Sequence, residues 1–262
     1  MSKVVVITGG GTGTGIGAAC ARLLAKEGDR VFIVGRRPAP LHALAEEIGA
    51  FAIVGDAASG ASWQNAILPA ILQHAGRIDC LIGSAGGMGL GRITEVSDAQ
   101  WQQALDSNLN SAFASARACL PELVKSGGNL LLVASIASLA AGPDVCGYVT
   151  AKHALIGLMR SIARDYGPQG VRANAVCPGW VTTPMADEEM QPLMAAHNLT
   201  LEQAYQWVCR DVPLRRPASA EEIAQVCCFL CSPLASIITG ATLVADGGST
   251  IVDVPTLAFT SL

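Results

Sequence analysis

Short apolar runs alternate along the chain with longer stretches in which apolar residues recur every third or fourth position. The first run, Val4-Val5-Val6-Ile7, reads as a strand. Residues 15–27 follow as a helix, with Ile16, Ala19, Cys20, Leu23 and Leu24 on one face. The alternation predicts further strands at 31–34, 51–54, 78–82, 130–134, 171–176 and 242–245. It predicts helices at 41–48, 63–74, 148–166 and 221–230, and a long helical region over 98–126 with a break near Asn108. Strands that alternate with helices form βαβ units, hence a parallel sheet covered on both faces. Unbroken apolar strands such as the first fit burial on both sides. The expected fold class is therefore α/β: one doubly wound domain with a central, mostly parallel sheet of about seven strands. No repeat or linker interrupts the pattern, so residues 1–262 are expected to be one unit. The segment 184–213 fits least well. It mixes Met185, Met190, Leu193, Met194, Tyr205 and Trp207 with Asp187, Glu188 and Glu189, and is expected to be a helical insertion over a site.

Composition narrows the function classes. Hydrophobic residues make up 51% of the 262 and charged residues 15%, which excludes disorder. The longest apolar run, about 130–141, is too short for a membrane span. The N-terminal apolar run meets glycine at once and has no basic segment before it, so no signal peptide is expected. A net charge of −4 without a Lys/Arg cluster gives no electrostatic support for nucleic-acid or anionic-membrane partners. The nine cysteines are scattered through apolar stretches, as small buried hydrophobes in a reducing, cytoplasmic setting would be. Cys228 and Cys231 match C-x-x-C but sit in an apolar helical run with no second pair. No metal is assigned, because the four histidines show no ligand spacing.

Candidate chemistry begins after the first strand. Thr8-Gly9-Gly10-Gly11-Thr12-Gly13-Thr14-Gly15-Ile16-Gly17 joins that strand to the first helix. Glycines there let the backbone approach a pyrophosphate, and the helix N-terminus favours its charge. About 20 residues further on, an acidic side chain would bind ribose hydroxyls and favour NAD. The chain has Gly35-Arg36-Arg37 there, and two guanidinium groups suit a 2′-phosphate, so NADP(H) is favoured and NAD(H) remains open. Further along, Tyr148 and Lys152 stand four apart at a helix start and share a face. A nearby lysine cation favours the phenolate and brings a tyrosine into range for proton transfer. Ser135, thirteen residues before Tyr148, lies at the end of a strand, where open α/β sheets bind ligands.

These motifs, in this order, resemble the short-chain dehydrogenase/reductase family over nearly the full chain. Asp56, followed by Ala57, matches the family's aspartate that contacts adenine. Ser84-Ala85-Gly86 stands where the family has Asn-Ala-Gly. Asn108 matches its catalytic asparagine, and Ser135, Tyr148 and Lys152 match its other catalytic residues. Pro178-Gly179-Trp180-Val181-Thr182-Thr183 matches the segment that holds the nicotinamide carboxamide, and Asp246-Gly247-Gly248 the C-terminal turn. Two departures stand out. Five residues rather than three separate Thr8-Gly9 from Gly15-Ile16-Gly17, so either the loop carries two extra residues or Gly11 acts as its first glycine. Ser84 replaces the usual asparagine.

The resemblance implies a Rossmann-type fold and hydride transfer between a nicotinamide and the carbonyl/alcohol group of a small molecule. Tyr148 would be the general acid/base. Lys152 would lower its pKa and bind the nicotinamide ribose. Ser135 would hydrogen-bond the substrate oxygen, and Asn108 would hold a water that links Lys152 to solvent. The implied cofactor contacts are Gly9, Gly11, Thr14, Gly15, Ile16, Gly17, Arg36, Arg37, Asp56, Ala57, Ser84, Ala85, Gly86, Tyr148, Lys152, Pro178, Gly179, Val181 and Thr183. Substrate walls are expected at Gly87-Met88, 137–146 with Cys146, Trp180 and the 184–213 segment. They are mostly apolar, which suggests a largely hydrophobic alcohol or ketone. A homotetramer or homodimer is implied, with helices around 98–126 and 148–166 at one interface. Two rival readings fit the sequence less well. Nucleotide-sugar epimerases of related fold carry a larger C-terminal substrate domain than this chain has. A cofactor-sensing, non-catalytic module would have no need of Tyr148 and Lys152, and both are present.

Overall fold

A computed structural model describes residues 2–11 and 13–259, so Thr12 of the glycine loop lies outside the described residues. Seven strands form one sheet: β1 Val4–Thr8, β2 Arg30–Gly35, β3 Phe51–Val54, β4 Cys80–Gly83, β5 Asn129–Val133, β6 Arg172–Pro178 and β7 Thr242–Ala245. Their order is β3-β2-β1-β4-β5-β6-β7, and every pairing is parallel. This is the doubly wound arrangement, with the reversal of strand order between β1 and β4.

The apolar runs are continuous because both faces of the sheet are covered. Val4 and Val6 join Phe32, Val34, Leu81, Leu130 and Leu132 in a core under α4 (Leu68–Ala75), α6 (Ser111–Ser126) and α7 (Cys146–Tyr166). Val5 and Ile7 join Ile33, Ile82, Leu131 and Val176 in a second core under α1 (Ile16–Lys26), α2 (Pro38–Ile48) and α10 (Ala220–Leu230). Strand residues alternate faces, and each alternate residue finds an apolar layer waiting. All nine cysteines are free thiols, and eight of them are buried. Cys228 and Cys231 belong to the second core.

The helical region 98–126 differs from expectation at its middle. It does not break near Asn108: α5 (Asp98–Leu105) continues through a wide π turn, Asp106–Asn110, into α6. Side chains loosen the backbone ladder there. Ser107 Oγ donates to the Gln103 carbonyl at 2.7 Å, Asn108 Nδ2 to the Ala104 carbonyl at 3.0 Å, and Ser111 Oγ to the Ser107 carbonyl at 2.9 Å. A second π turn, Trp63–Ile67, joins the single turn α3 (Gly60–Ser62) to α4. The 184–213 segment contains two helices, α8 (Pro184–His197) and α9 (Leu201–Val208). They pack on each other through Ala186, Met190, Ala204 and Tyr205, a small core apart from the two on the sheet. Among the described residues no helix is long and apolar enough to cross a membrane.

Candidate active site

The carboxyl ends of β1, β2, β4 and β5 open on a cavity of about 960 Å³. Its walls near β1 are shaped by what glycine lacks. Gly9 has φ +84°, and a Cβ there would stand 2.5 Å from the Ser84 carbonyl. A Cβ on Gly17 would come within 3.1 Å of the Gly9 backbone and 3.2 Å of Ser84 Oγ. Gly9 therefore holds the close approach between β1 and β4, and α1 can start directly above it. Beyond Gly9, Gly13 N–H donates to the Gly10 carbonyl at 3.1 Å, and Gly11 packs on Gly35. Thr8 Oγ1 accepts from Ala85 N–H at 3.2 Å, which ties the loop to the end of β4.

Gly9, Gly11, Thr14, Gly15, Ile16, Gly17, Arg36, Arg37, Asp56, Ala57, Ser84, Ala85 and Gly86 all line the cavity. Arg36 and Arg37 follow β2, and Arg37 stands at the N-cap position of α2 with its side chain making no cap hydrogen bond. Both are exposed, and among the described residues neither stands in an ion pair with a carboxylate. The cavity thus has glycine backbone and a helix N-terminus at one end and free guanidinium groups beside it. That is a cradle for the phosphates of a dinucleotide.

The opposite end is built from polar side chains held by burial. Tyr148 and Lys152 project from the first two turns of α7 and line the cavity with Asn108. Lys152 is buried; its Nζ donates to the Val133 carbonyl at 3.1 Å and lies 5.4 Å from the centre of the Tyr148 ring. Ser135 follows β5 and stands outside the cavity wall; its hydroxyl accepts from Ala137 N–H at 3.1 Å, and its side chain draws the Tyr148 phenol downward. Asn108 is fully buried, and its amide grips Gly87 from both sides, accepting from its N–H at 3.3 Å and donating to its carbonyl at 2.9 Å. The π turn aims that amide; a Cβ on Gly86 would touch both Asn108 Oδ1 and Lys152 Nζ.

Electrostatics differ from the sequence-based expectation in one respect. Lys152 was expected to draw the tyrosine down. Burial instead pushes the Tyr148 phenol up, the Ser135 hydrogen bond opposes this, and the charges of Glu189 and Cys177 add to the rise. Burial also pushes Lys152 down, to about 8. The protein's own groups therefore keep the phenol protonated at neutral pH.

Other expected residues are not in the cavity wall. Of the 178–183 segment only Thr183 lines it, followed by Pro184 and Met185. Val181 is buried in the core and bridges to Ala218. Pro178 ends β6, and Gly179 packs against Asp246, whose carboxylate accepts from the N–H groups of Gly248 and Thr250. Met88, Cys146 and Trp180 do not line it either. Cys146 begins α7, and Trp180 packs against the α8–α9 core. One residue carries no sequence signal. Gly89 lets its loop cross α7, since a Cβ there would meet the Tyr148 backbone nitrogen, and it lies between two motifs. Glu189, on α8 in the segment expected over the site, adds a negative charge that pushes the Tyr148 phenol up.

A doubly wound sheet whose strand ends carry both a glycine-rich loop at a helix N-terminus and a Tyr148–Lys152 pair on one cavity has the make-up of a nicotinamide-dependent oxidoreductase. The chain belongs to the short-chain dehydrogenase/reductase family, and residues 10–250 match that family's model described as enoyl-(acyl carrier protein) reductase. It is 64% identical over 265 residues to Protein MoaE of Klebsiella aerogenes, an alignment that covers 99% of this chain and 100% of that protein. Among solved structures it is similar to L-sorbose reductase from Gluconobacter frateurii complexed with NADPH and L-sorbose. The TM-score is 0.87 at 29% identity, covering 94% of this chain and 96% of that one. It is also similar to a variant of actinorhodin polyketide ketoreductase with NADPH, with a TM-score of 0.88 at 28% identity, covering 94% and 97% of the two chains.

Proposed function

We propose that the protein uses NADP(H) to interconvert a small ketone and its alcohol, with Tyr148 as the proton donor and acceptor. The observation that carries this reading is the pair Tyr148 and buried Lys152, one turn apart on α7 with Nζ 5.4 Å from the ring centre, lining the same cavity as the glycine loop. The nicotinamide, when bound, supplies or accepts the hydride. Ser135 holds the carbonyl oxygen against the phenol. Tyr148, kept protonated by burial, gives its proton to that oxygen as the carbon is reduced, and takes it back in the reverse direction. The buried Lys152 cation stabilises the phenolate left behind, and the Asn108 amide positions the Gly86-Gly87 wall beside the Lys152 ammonium. Arg36 and Arg37 hold the 2′-phosphate, Asp56 and Ala57 bound the adenine end, and Gly9, Gly15 and Gly17 admit the pyrophosphate. The α8–α9 segment covers the substrate end through Thr183 and Met185.

The assembly proposed is a homotetramer, or a homodimer. A groove of about 420 Å³ between α6 and α7, lined by Phe113, Leu120, Leu158 and Ile162 together with Arg117 and Asp165, supports one interface of mixed character. Exposed Leu243 and Val244 on the edge strand β7 support a second. The proposed location is the cytoplasm, because nine unpaired thiols suit a reducing compartment. A spectrophotometric screen tests the activity: NADPH absorbance falls when a carbonyl panel is added to the wild type and stays flat with Tyr148→Phe. A Tyr148→Phe protein that matched the wild type would defeat the reading.

A further inference from the structure

Tyr148 sits in the first turn of α7, and that helix begins without a side-chain cap. Val145 stands at its N-cap position and makes no cap hydrogen bond. The first N–H groups of a helix have no partner inside it, so acceptors must come from elsewhere. Two come from the main chain of the segment that follows β4. The Gly91 carbonyl accepts from Cys146 N–H at 3.3 Å, and the Gly89 carbonyl accepts from Tyr148 N–H at 3.3 Å. In return Gly91 N–H donates to the Asp144 carbonyl at 2.6 Å, which makes a short parallel bridge between Gly91 and Val145. The segment comes this close because residue 89 is glycine; a Cβ there would meet the Tyr148 nitrogen and stand 2.9 Å from the Ala104 methyl of α5. Its inner end is held where the Asn108 amide grips Gly87. Its outer end is held by an ion pair, Arg92 Nε to Asp144 Oδ1 at 2.7 Å. Asp144 has φ +57°, a left-handed conformation that is unfavourable for residues with a Cβ.

We infer that residues 87–92 are a positioning strap for the catalytic tyrosine: the Gly89 and Gly91 carbonyls serve as the N-cap of α7, and the Arg92–Asp144 pair locks the turn from which that helix starts. The inference rests on the proposed proton transfer by Tyr148 and adds residues that act through its backbone. The phenol oxygen is carried by the first turn of α7, so a shift of that turn moves it relative to the nicotinamide and the carbonyl. A misplacement of about 1 Å at a reacting group costs on the order of 10²-fold in rate. Lys152, one turn further on, is anchored separately by its bond to the Val133 carbonyl, so loosening the strap shifts Tyr148 without shifting Lys152. The Arg92–Asp144 pair is exposed, which limits its own contribution to the small range of surface ion pairs. The backbone bonds and the close approach at Gly89 carry more.

The test measures kcat, the KM for NADPH and the melting temperature, with butane-2,3-dione, acetoacetate and cyclohexanone as carbonyl probes. Gly89→Ala should lower kcat by about tenfold to a hundredfold, while the KM for NADPH stays near wild type because the glycine loop is untouched. Added to Tyr148→Phe, Gly89→Ala should lower the residual rate no further, since no phenol is left to misplace. Arg92→Ala should lower kcat about two- to fivefold, the range of an exposed ion pair, with the melting temperature unchanged. Arg92→Lys should keep part of that rate. Asp144→Gly placed in the Arg92→Ala protein should restore most of it, because glycine takes a positive φ without a lock. Wild-type kcat in Gly89→Ala, or an equal loss on the Tyr148→Phe background, would overturn the cap. Wild-type kcat in Arg92→Ala would overturn the lock. Should Gly89→Ala fail to fold, the exposed Arg92 series decides alone. A Tyr148→Phe protein as active as the wild type would instead defeat the proton-transfer reading, whichever way the strap variants behave.

Discussion

The two ends of the cavity are built by opposite means. At β1, β2 and β4 the site exists because side chains are missing: Gly9, Gly17 and Gly35 let backbones meet where a Cβ would stand within about 3 Å of its neighbours. At β5 and α7 it exists because polar side chains are present and buried: Asn108, Lys152 and the half-buried Tyr148 each carry groups that cost free energy to desolvate. The first end is part of the packing of the sheet, so adding atoms there damages the fold. The second end is supported by α7 and the π turn, so removing its functional atoms damages chemistry and spares the fold.

The largest expected effect tests the second half of that contrast. Tyr148→Phe keeps the ring and removes one oxygen. Turnover should fall on the order of 10²–10⁴-fold, while NADPH affinity by fluorescence titration and melting temperature stay near wild type. A protein that also unfolded would show that the phenol oxygen is structural. Gly9→Val tests the first half. It places a branched side chain at φ +84° with its Cβ 2.5 Å from the Ser84 carbonyl. Denaturant unfolding should register a loss of roughly 3 kcal/mol or more, with cofactor binding lost alongside. A stable Gly9→Val protein would mean that the loop can withdraw from β4.

Arg36 and Arg37 belong to the cofactor end but act by charge, so they should break its rule. Arg36→Ala with Arg37→Ala should leave stability unchanged, because both side chains are exposed. The NADPH-over-NADH ratio of kcat/KM should drop by about tenfold or more. An unchanged ratio would place 2′-phosphate recognition elsewhere. The smallest effect is a titration at the catalytic end. Lys152 has its pKa lowered to about 8 by burial, so the cation that stabilises the Tyr148 phenolate is present below that pH and lost above it. The reductive rate should be reduced by about half near pH 8 and fall further as pH rises. A flat profile from pH 6 to 9 would show that cofactor or substrate binding holds Lys152 charged through that range.

Much of this architecture was legible from residue order. Seven apolar runs become seven strands because a strand buried on both faces leaves a continuous signature, and Val4–Ile7 shows it fully. The Gly loop, Arg36-Arg37, Ser135, Tyr148 and Lys152 were legible because their chemistry is local: short spacings at strand ends and helix starts. The break expected near Asn108 was half right. A polar cluster in a helix does disturb the backbone ladder, but whether it ends the helix or widens one turn depends on what the amide finds to hold, here Gly87. Met88, Cys146 and Trp180 stand near the motifs in sequence but outside the cavity wall, because nearness along the chain does not say which face turns to the cavity.

The sequence by itself determined the α/β order, the parallel sheet and the identity of the residues that meet at its carboxyl edge, because periodicity and glycine chemistry act over a few residues. Only the tertiary structure decided that the helix widens rather than ends at Asn108 and that burial, rather than the lysine, dominates the Tyr148 phenol. Those outcomes depend on desolvation and on how distant elements dock, and both are set by contacts between residues far apart in the chain.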